Sequence, residues 1–363
     1  MALRVILSVT NDLTNDQRVH KVALSLIQLG FSVELVGRLR KKSLPLQSRP
    51  YSYHRILMWF DTGKLFYLEF TIRLFWYLLF HRADVYTAND LDTLLPNFLV
   101  ARWHKSRLIY DTHEYFTEVP ELANRRWTRS AWLWLERLLF PRVQYISTVN
   151  ESIADIYARK YNKEIVVIRN VPLSKTQRTP DSKPSNVVIY QGNVKLGRGI
   201  ELMVKSMRYL ENVQLWIIGG GTDYLDTVKN LIHHEGVEDK IRFWGLIPFE
   251  NLYPITCQAR IGLTLEDKSG LNTELSLPNK LFDYIQAGIP VIASDLPEIR
   301  KIVDHYEIGL ILKERDPKEL ANLIQFLFND NAEYQRLCRN TQKAAQILNW
   351  ENEQQKLEFL YCH

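Results

Sequence analysis

Short apolar runs and stretches of helical period take turns along the chain. In the first half, Val5–Val9 is a short apolar run of the kind that forms a buried strand. Asp16–Leu29 then carries Val19, Val22, Ala23 and Leu26 at helical spacing, and Gly30 closes the helix before a strand over Val33–Gly37. The same rule predicts helices over Leu65–Phe80, Leu91–Trp103, Arg126–Leu139 and Ser152–Tyr161. Between them it predicts strands over Asp84–Ala88, Leu108–Tyr110, Gln144–Val149 and Ile165–Ile168. Strands separated by helices imply a parallel sheet covered on both faces, whose ligands sit at the carboxyl ends of the strands.

The pattern breaks once. From Pro172 to Ser185 there are three prolines, three serines and no apolar period, which marks a linker. Alternation then restarts with strands at Val187–Tyr190, Val213–Ile218, Ile241–Phe243, Ile261–Leu265 and Val291–Ala293. It ends in a polar helical stretch from about Ala332 that contains Trp350. The expected division is a domain over 1–172, a linker over 173–185, a second domain over 186–345 and a terminal helix over 346–363. At 363 residues and 46% hydrophobic content, two α/β domains have enough material for two cores.

The stretch Ser276–Ser294, SLPNKLFDYIQAGIPVIAS, reads as a helix feeding a buried strand. Ser276 is suited to cap the helix, Pro278 fits the first turn, and Gly288 suits the left-handed turn that ends it. Leu277, Leu281 and Ile285 form the buried stripe, while Ser276, Asn279, Lys280 and Asp283 share another face. That face starts at a positive helix terminus, which favours an anion, with the Lys280 charge one turn in. Asp283 follows about 4.5 Å further along the axis. A diphosphate at the helix start with a ribose diol on Asp283 fits this order; an ordinary amphipathic helix is the plainer alternative.

PNKLFDYIQAGIPVIAS resembles the donor-binding helix and strand of the retaining glycosyltransferases of family 4, the group 1 enzymes with the GT-B fold. Those enzymes carry two glutamates eight positions apart before the glycine turn. Alignment on Ala287–Val291 puts Asp283 at the second and Leu275 at the first, with Glu274 one residue away. The resemblance implies two Rossmann-like doubly wound domains with parallel sheets facing across a cleft. It also implies a nucleotide-diphosphate sugar as donor and a glycan or lipid-linked acceptor at the cell surface.

Three further stretches carry the resemblance. Tyr190–Gly199 follows a strand and opens a helix; Gly192 and Gly199 allow close backbone approach, and Arg198 can fork two phosphate oxygens. The family places an arginine after the first glycine, where this chain has Asn193, so Lys280 and Lys195 are the cations at hand. Gly219-Gly220-Gly221 with Ile241–Pro248 matches the pair that faces the donor and lines the nucleobase, which points to Phe243, Gly245 and Leu246. In the first half, Tyr110–Tyr115 holds His113 where relatives carry a histidine that contacts the donor sugar. Neutral, it can hydrogen-bond a hydroxyl; protonated, it can offset charge on the leaving phosphate. Asn11, Asp12 and Asp16 lie in the loop after the first strand and are candidates for the acceptor, with helix capping by Asp16 as the alternative.

Charge is unevenly placed: residues 1–170 hold 24 Lys and Arg against 16 Asp and Glu, and the remainder 22 against 25. A basic first half points to an anionic partner, and no nucleic-acid-binding motif accompanies it. Lys64–Arg82 and Arg125–Arg142 interleave aromatic and basic residues as interfacial helices do, so the inner face of a membrane is the candidate partner. Trp and Leu at this spacing also fit a core. Asp90-Leu91-Asp92 has the spacing of a metal-binding pair, but a helix cap at Leu91 is the commoner use, and no metal or other cofactor is expected. His233-His234 reads as a solvated pair on a surface helix. Cys257, Cys338 and Cys362 match neither a disulfide framework nor a zinc site, and the start at Met1 runs straight into a strand, so a cytoplasmic protein is expected. A nucleotide-sugar epimerase, or a GT-B protein that binds without turnover, are the rival readings.

Overall fold

The computed structural model describes residues 2–14, 16–41, 43–123, 125–175, 186–221 and 224–362. They form two compact units: residues 1–170 with 353–363, and residues 171–352.

In the first unit the strands are β1 (Arg4–Ser8), β2 (Ser32–Leu39), β3 (Ser52–Leu57), β4 (Val85–Asn89), β5 (Arg107–Thr112), β6 (Tyr145–Thr148) and β7 (Val166–Val167). The helices between them are α1 (Gln17–Gln28), α2 (Gly63–Phe80), α3 (Leu91–His104), α4 (Pro120–Ala123), α5 (Arg126–Leu139) and α6 (Glu151–Tyr161). All strand pairs are parallel, in the order β3-β2-β1-β4-β5-β6-β7. The chain direction across the sheet reverses between β1 and β4, the place where open α/β sheets take their ligands. Asp16 caps α1 by accepting the Val19 N–H at 3.0 Å, so the capping reading of that residue holds. β3 went unseen in the sequence because it is an edge strand in which Ile56 alone is buried, so it shows no apolar run.

The second unit holds β8 (Val187–Gln191), β9 (Gln214–Ile218), β10 (Ile241–Gly245), β11 (Ile261–Thr264), β12 (Val291–Ser294) and β13 (Gly309–Leu312). Its helices are α7 (Ile200–Ser206), α8 (Tyr224–Glu235), α9 (Phe249–Thr256), α10 (Leu271–Glu274), α11 (Asn279–Gln286), α12 (Pro297–Tyr306), α13 (Pro317–Asn329) and α14 (Asn331–Ile347). The order β10-β9-β8-β11-β12-β13 is again parallel throughout, with the reversal between β8 and β11. β13, another edge strand, is the second strand the sequence pattern did not mark.

Two short helices, α15 (Trp350–Glu353) and α16 (Gln355–Cys362), end the chain. α16 packs on α1, burying Leu357, Leu360 and Tyr361, and Tyr361 Oη lies 2.9 Å from Thr87 Oγ1. Of the expected linker, 176–185 lie outside the described residues.

α11 shows how the local sequence sets the geometry. Leu281 and Ile285 are fully buried, each contributing about 1.5–3 kcal/mol, and Gly288 takes φ +68° to end the helix. Its start differs from expectation: Pro278 occupies the cap position and the helix begins at Asn279. Ser276 does not cap it, because it stands two residues before the cap position, where its hydroxyl donates to the Thr273 carbonyl at 2.8 Å. The first turn of α11 therefore has no side-chain cap, which leaves it suited to an anion.

Candidate functional site

Three loops at the carboxyl ends of β8, β9 and β10 are stitched together by backbone hydrogen bonds. Gly192 N–H donates to Ile218 O at 2.9 Å, Val194 N–H to Gly220 O at 2.8 Å, and Gly219 N–H to Gly245 O at 2.9 Å. The packing admits only glycine at Gly219, where a Cβ would stand 1.9 Å from Gly192 O with φ at +147°. At Gly199, φ +72°, a Cβ would stand 2.2 Å from Leu265 O, so this residue brings the loop carrying Arg198 against the end of β11.

There the expected diphosphate residues meet a carboxylate that sequence reasoning missed. Glu266 is fully buried, with Lys280 Nζ 2.9 Å and Arg198 Nη1 3.5 Å from its Oε1, and Thr264 Oγ1 donating to Oε2 at 2.7 Å. Burial by itself would push the Glu266 carboxyl up, but Lys280, Thr264 and Arg198 together hold it below the usual range. Burial dominates at Lys280, pushing its ammonium down from the usual range against the pull of Glu266. That ammonium sits 3.9 Å from the centre of the Tyr190 ring and beside Gly192. Its contact with Glu266 is an ion pair off hydrogen-bond alignment, and it has no other acceptor among the described residues. A buried lysine with an open N–H, next to a glycine turn and an uncapped helix start, can receive an anionic oxygen.

The remaining second-unit candidates surround this centre unevenly. Asn279 and Asp283 stand on α11, and Glu274 ends α10 beside the buried Leu275. The Phe243 ring is partly buried and packs against the core. Leu246 is 80% exposed and its side chain lies over Gly220.

In the first unit His113 lies between two aspartates. Its Nε2 is 3.0 Å from Asp111 Oδ2, its Nδ1 is 3.4 Å from Asp90 Oδ2, and its backbone N–H donates to Asp90 Oδ1 at 2.7 Å. Burial opposes charge on the imidazole, but Asp90 and Asp111 overcome it and raise its pKa to about 9. The two aspartates thus favour the imidazolium at neutral pH, the second of the two states the sequence left open. Asp111 is fixed in turn by Arg18, whose Nε and Nη2 donate to it at 2.9 and 2.7 Å, and by Ser147 Oγ at 2.8 Å. Burial would raise Asp111, yet Arg18 and His113 hold it well below the usual carboxylate range. Asp90 occupies the cap position of α3 with φ +65°, a costly conformation for a non-glycine, and its carboxylate serves His113 rather than the helix end.

In the loop after β1, the polar side chains of Asn11, Asp12 and Asp16 make local hydrogen bonds. Asn11 Nδ2 donates to Asp16 Oδ2 at 2.6 Å, and Asp12 accepts from Thr14 N–H at 3.2 Å and Ser43 Oγ at 2.8 Å. Beside it, Thr10 Oγ1 donates to Asp92 Oδ2 at 2.8 Å, while Asp92 Oδ1 is buried with no hydrogen-bond partner. Burial, then Asp90, raises Asp92 to about 7. The fold thus favours its protonated form, and stability is lost as pH rises from the ordinary carboxyl range through 7. Asp92→Asn should accordingly be more stable than the parent at pH 8, by on the order of 4 kcal/mol, with the gap closing near pH 4. Urea unfolding at the two pH values checks this; a gap that does not change with pH would refute it. Among the described residues no group of three His, Cys, Asp or Glu is arranged to hold a metal ion. His233 and His234 are exposed on α8.

Comparison with known proteins follows this division. Residues 174–344 match the profile of glycosyl transferases group 1, and residues 17–171 that of glycosyltransferase family 4. A chitobiosyldiphosphodolichol beta-mannosyltransferase from Candida glabrata is 27% identical over 216 residues, covering 58% of this chain and 45% of that one. The chain thus matches less than half the length of that relative. Among solved structures, a sucrose-phosphate synthase from Thermosynechococcus elongatus superposes with a TM-score of 0.81 at 19% identity, over 99% of this chain and 98% of that one. Anabaena HepE in complex with UDP and glucose superposes at 0.75 and 14% identity, over 98% of each. Both likenesses establish the GT-B fold. With the two profiles meeting end to end over nearly its whole length, the chain belongs to the group 1, family 4 glycosyltransferases.

Proposed function

We propose that this protein moves a sugar, with retention, from a nucleotide-diphosphate donor to a cell-surface glycan or lipid-linked acceptor, in the cytoplasm. The observation that carries the reading is the buried Lys280 ammonium with an open N–H beside Gly192, sharing Glu266 with Arg198. In this reading Lys280, Arg198 and the first turn of α11, with Gly192, Gly199 and Asn279, receive the diphosphate. Asp283 takes the ribose hydroxyls, Glu274 is the carboxylate nearest the sugar, and the backbone around Gly245 takes the base.

The bond that breaks joins the sugar's anomeric carbon to a phosphate oxygen, and its electron pair stays on that oxygen. An acceptor hydroxyl forms the new bond on the same face and loses its proton to the departing phosphate, so no protein nucleophile is required. Negative charge grows on the diphosphate as the bond stretches, and fixed cations already in place stabilise it most at that moment. In this reading His113 supplies a further positive group to the reaction. Helix terminus and side-chain cations take the part a divalent ion would play, so transfer needs no metal.

One experiment tests the whole reading: UDP- and GDP-sugars are incubated with a panel of glycan and lipid-linked acceptors in excess chelator, and the product is read by NMR. A glycoside with the donor's anomeric configuration is expected. Loss of all transfer in chelator, restored by magnesium or manganese, overturns metal independence. An altered free sugar nucleotide formed without acceptor identifies an epimerase instead.

A further inference from the structure

α2 is apolar on two opposite faces. Phe66, Phe70, Leu74 and Leu78 are buried against the sheet, as expected of a crossover helix. Leu65, Leu68, Ile72, Trp76 and Phe80 form a second stripe, 49% to 76% exposed. A soluble helix normally places charge there. The neighbouring helices continue the feature. α3 packs on both α2 and α5, and Tyr67 of α2 meets Trp132 of α5 edge to face at 5.3 Å. On α3, Leu99 and Trp103 are exposed at 45% and 76%; on α5, Trp127 and Trp134 are exposed at 88% and 65%.

The charges on these helices are sorted by sign. Lys64, Arg102, Arg126 and Arg137 are exposed. The three helices carry three carboxylates, and none is offered to solvent. Glu136 is fully buried against Lys160 and Tyr161, Asp92 is buried at the sheet end, and Glu69 is tied to Arg73 and the Trp59 and Phe60 backbone N–H groups. A second copy of this chain would bring the same cations against these and gain no complementary charge. An anionic bilayer surface supplies complementary charge together with an interfacial layer in which tryptophan rings are at home.

We infer that the outer faces of α2, α3 and α5 form one platform that lies on an anionic membrane surface, with the tryptophans at headgroup depth and the arginines on lipid phosphates. No described helix is long and apolar enough to cross a membrane, which fits a helix lying in the interface. This inference does not rest on the transfer reaction, since the platform residues are separate from those assigned to the donor.

The test uses the full chain and vesicles of phosphatidylcholine with or without 30% phosphatidylglycerol, read by co-sedimentation at low and high salt. Binding should be at least tenfold tighter to the anionic vesicles and should fall with salt. Arg102→Gln, Arg126→Gln and Arg137→Gln combined should cost on the order of 100-fold in affinity for anionic vesicles. Trp76→Ser, Trp103→Ser and Trp134→Ser combined should weaken binding to both compositions. All six side chains are exposed, and circular dichroism with nucleotide binding confirms that each variant folds. Equal binding of the parent to neutral and anionic vesicles overturns the inference. So does a concentration-dependent dimer, abolished by the tryptophan substitutions, in a protein that ignores vesicles.

Discussion

Lys280→Ala should lose about 3–5 kcal/mol of unfolding free energy, whereas Arg198→Ala should stay close to the parent in stability. The difference follows from Glu266. That carboxylate is fully buried, and removing the ammonium 2.9 Å away leaves it with Thr264 and with Arg198 at 3.5 Å. Arg198, with its side chain 31% exposed, is the looser partner, and its removal leaves the Lys280–Glu266 pair intact. Affinity for a nucleotide diphosphate should behave differently. In the proposed site each cation would supply a charge-assisted contact worth roughly 1.5–3 kcal/mol, so Arg198→Ala should bind UDP or GDP about 10- to 150-fold more weakly without unfolding. A double variant separates the two roles of Lys280. Lys280→Met with Glu266→Gln removes both buried charges at similar volume and should recover most of the lost stability while leaving affinity low. Urea unfolding and titration calorimetry measure the two quantities. An Arg198→Ala protein that binds every nucleotide diphosphate as tightly as the parent would remove Arg198 from the phosphate site.

Features with a local signature were readable from the sequence. Short apolar runs and the 3.6-residue period located most of the buried strands and the first unit's long helices, and Gly288 proved to be the positive-φ turn expected of it. Asp16, whose place before the first apolar-periodic residue offered capping as one of two readings, does cap α1. Features made by long-range pairing were not readable. Arg18 meets Asp111 across 93 residues, and no periodicity connects them. Glu266 stands just after a strand in Thr264-Leu265-Glu266, where an acid reads as the start of a loop, and only the fold shows it to be buried under two cations. The same gap explains Asp90: its spacing to Asp92 suggested a metal or a cap, while the sheet register sets it beside β5 and hence on His113. A residue pair two apart in Asp111-Thr112-His113 was the available hint, because alternate strand positions share a face.

His113→Ala should lower transfer by about 10²–10³, the cost of removing one preorganised electrostatic group, yet leave affinity for free nucleotide diphosphate nearly unchanged. The split is expected because the proposed phosphate ligands all belong to the second unit and His113 to the first. Its charge state supplies an independent readout. Asp90 and Asp111, acting against burial, raise the imidazole to about 9, so the cation persists through neutral pH and is lost as pH rises through that value. The parent's turnover should therefore fall on an alkaline limb near pH 9, and the limb should be absent from His113→Ala. The fold feels the same linkage: stabilisation from the charged imidazole is complete below the ordinary histidine pKa and fades as pH climbs through 9. Alanine leaves Asp111 held by Arg18 and Ser147 and leaves Asp90 its backbone N–H donor, so the unit should stay folded. His113→Asn guards against an effect of packing alone. It retains a neutral N–H donor at the site without the charge, and it should share the slow turnover and the missing limb. Turnover with the alkaline limb intact in either variant would show that the charge on His113 does not act in the reaction, and the histidine would then serve to hold Asp90 in its strained conformation.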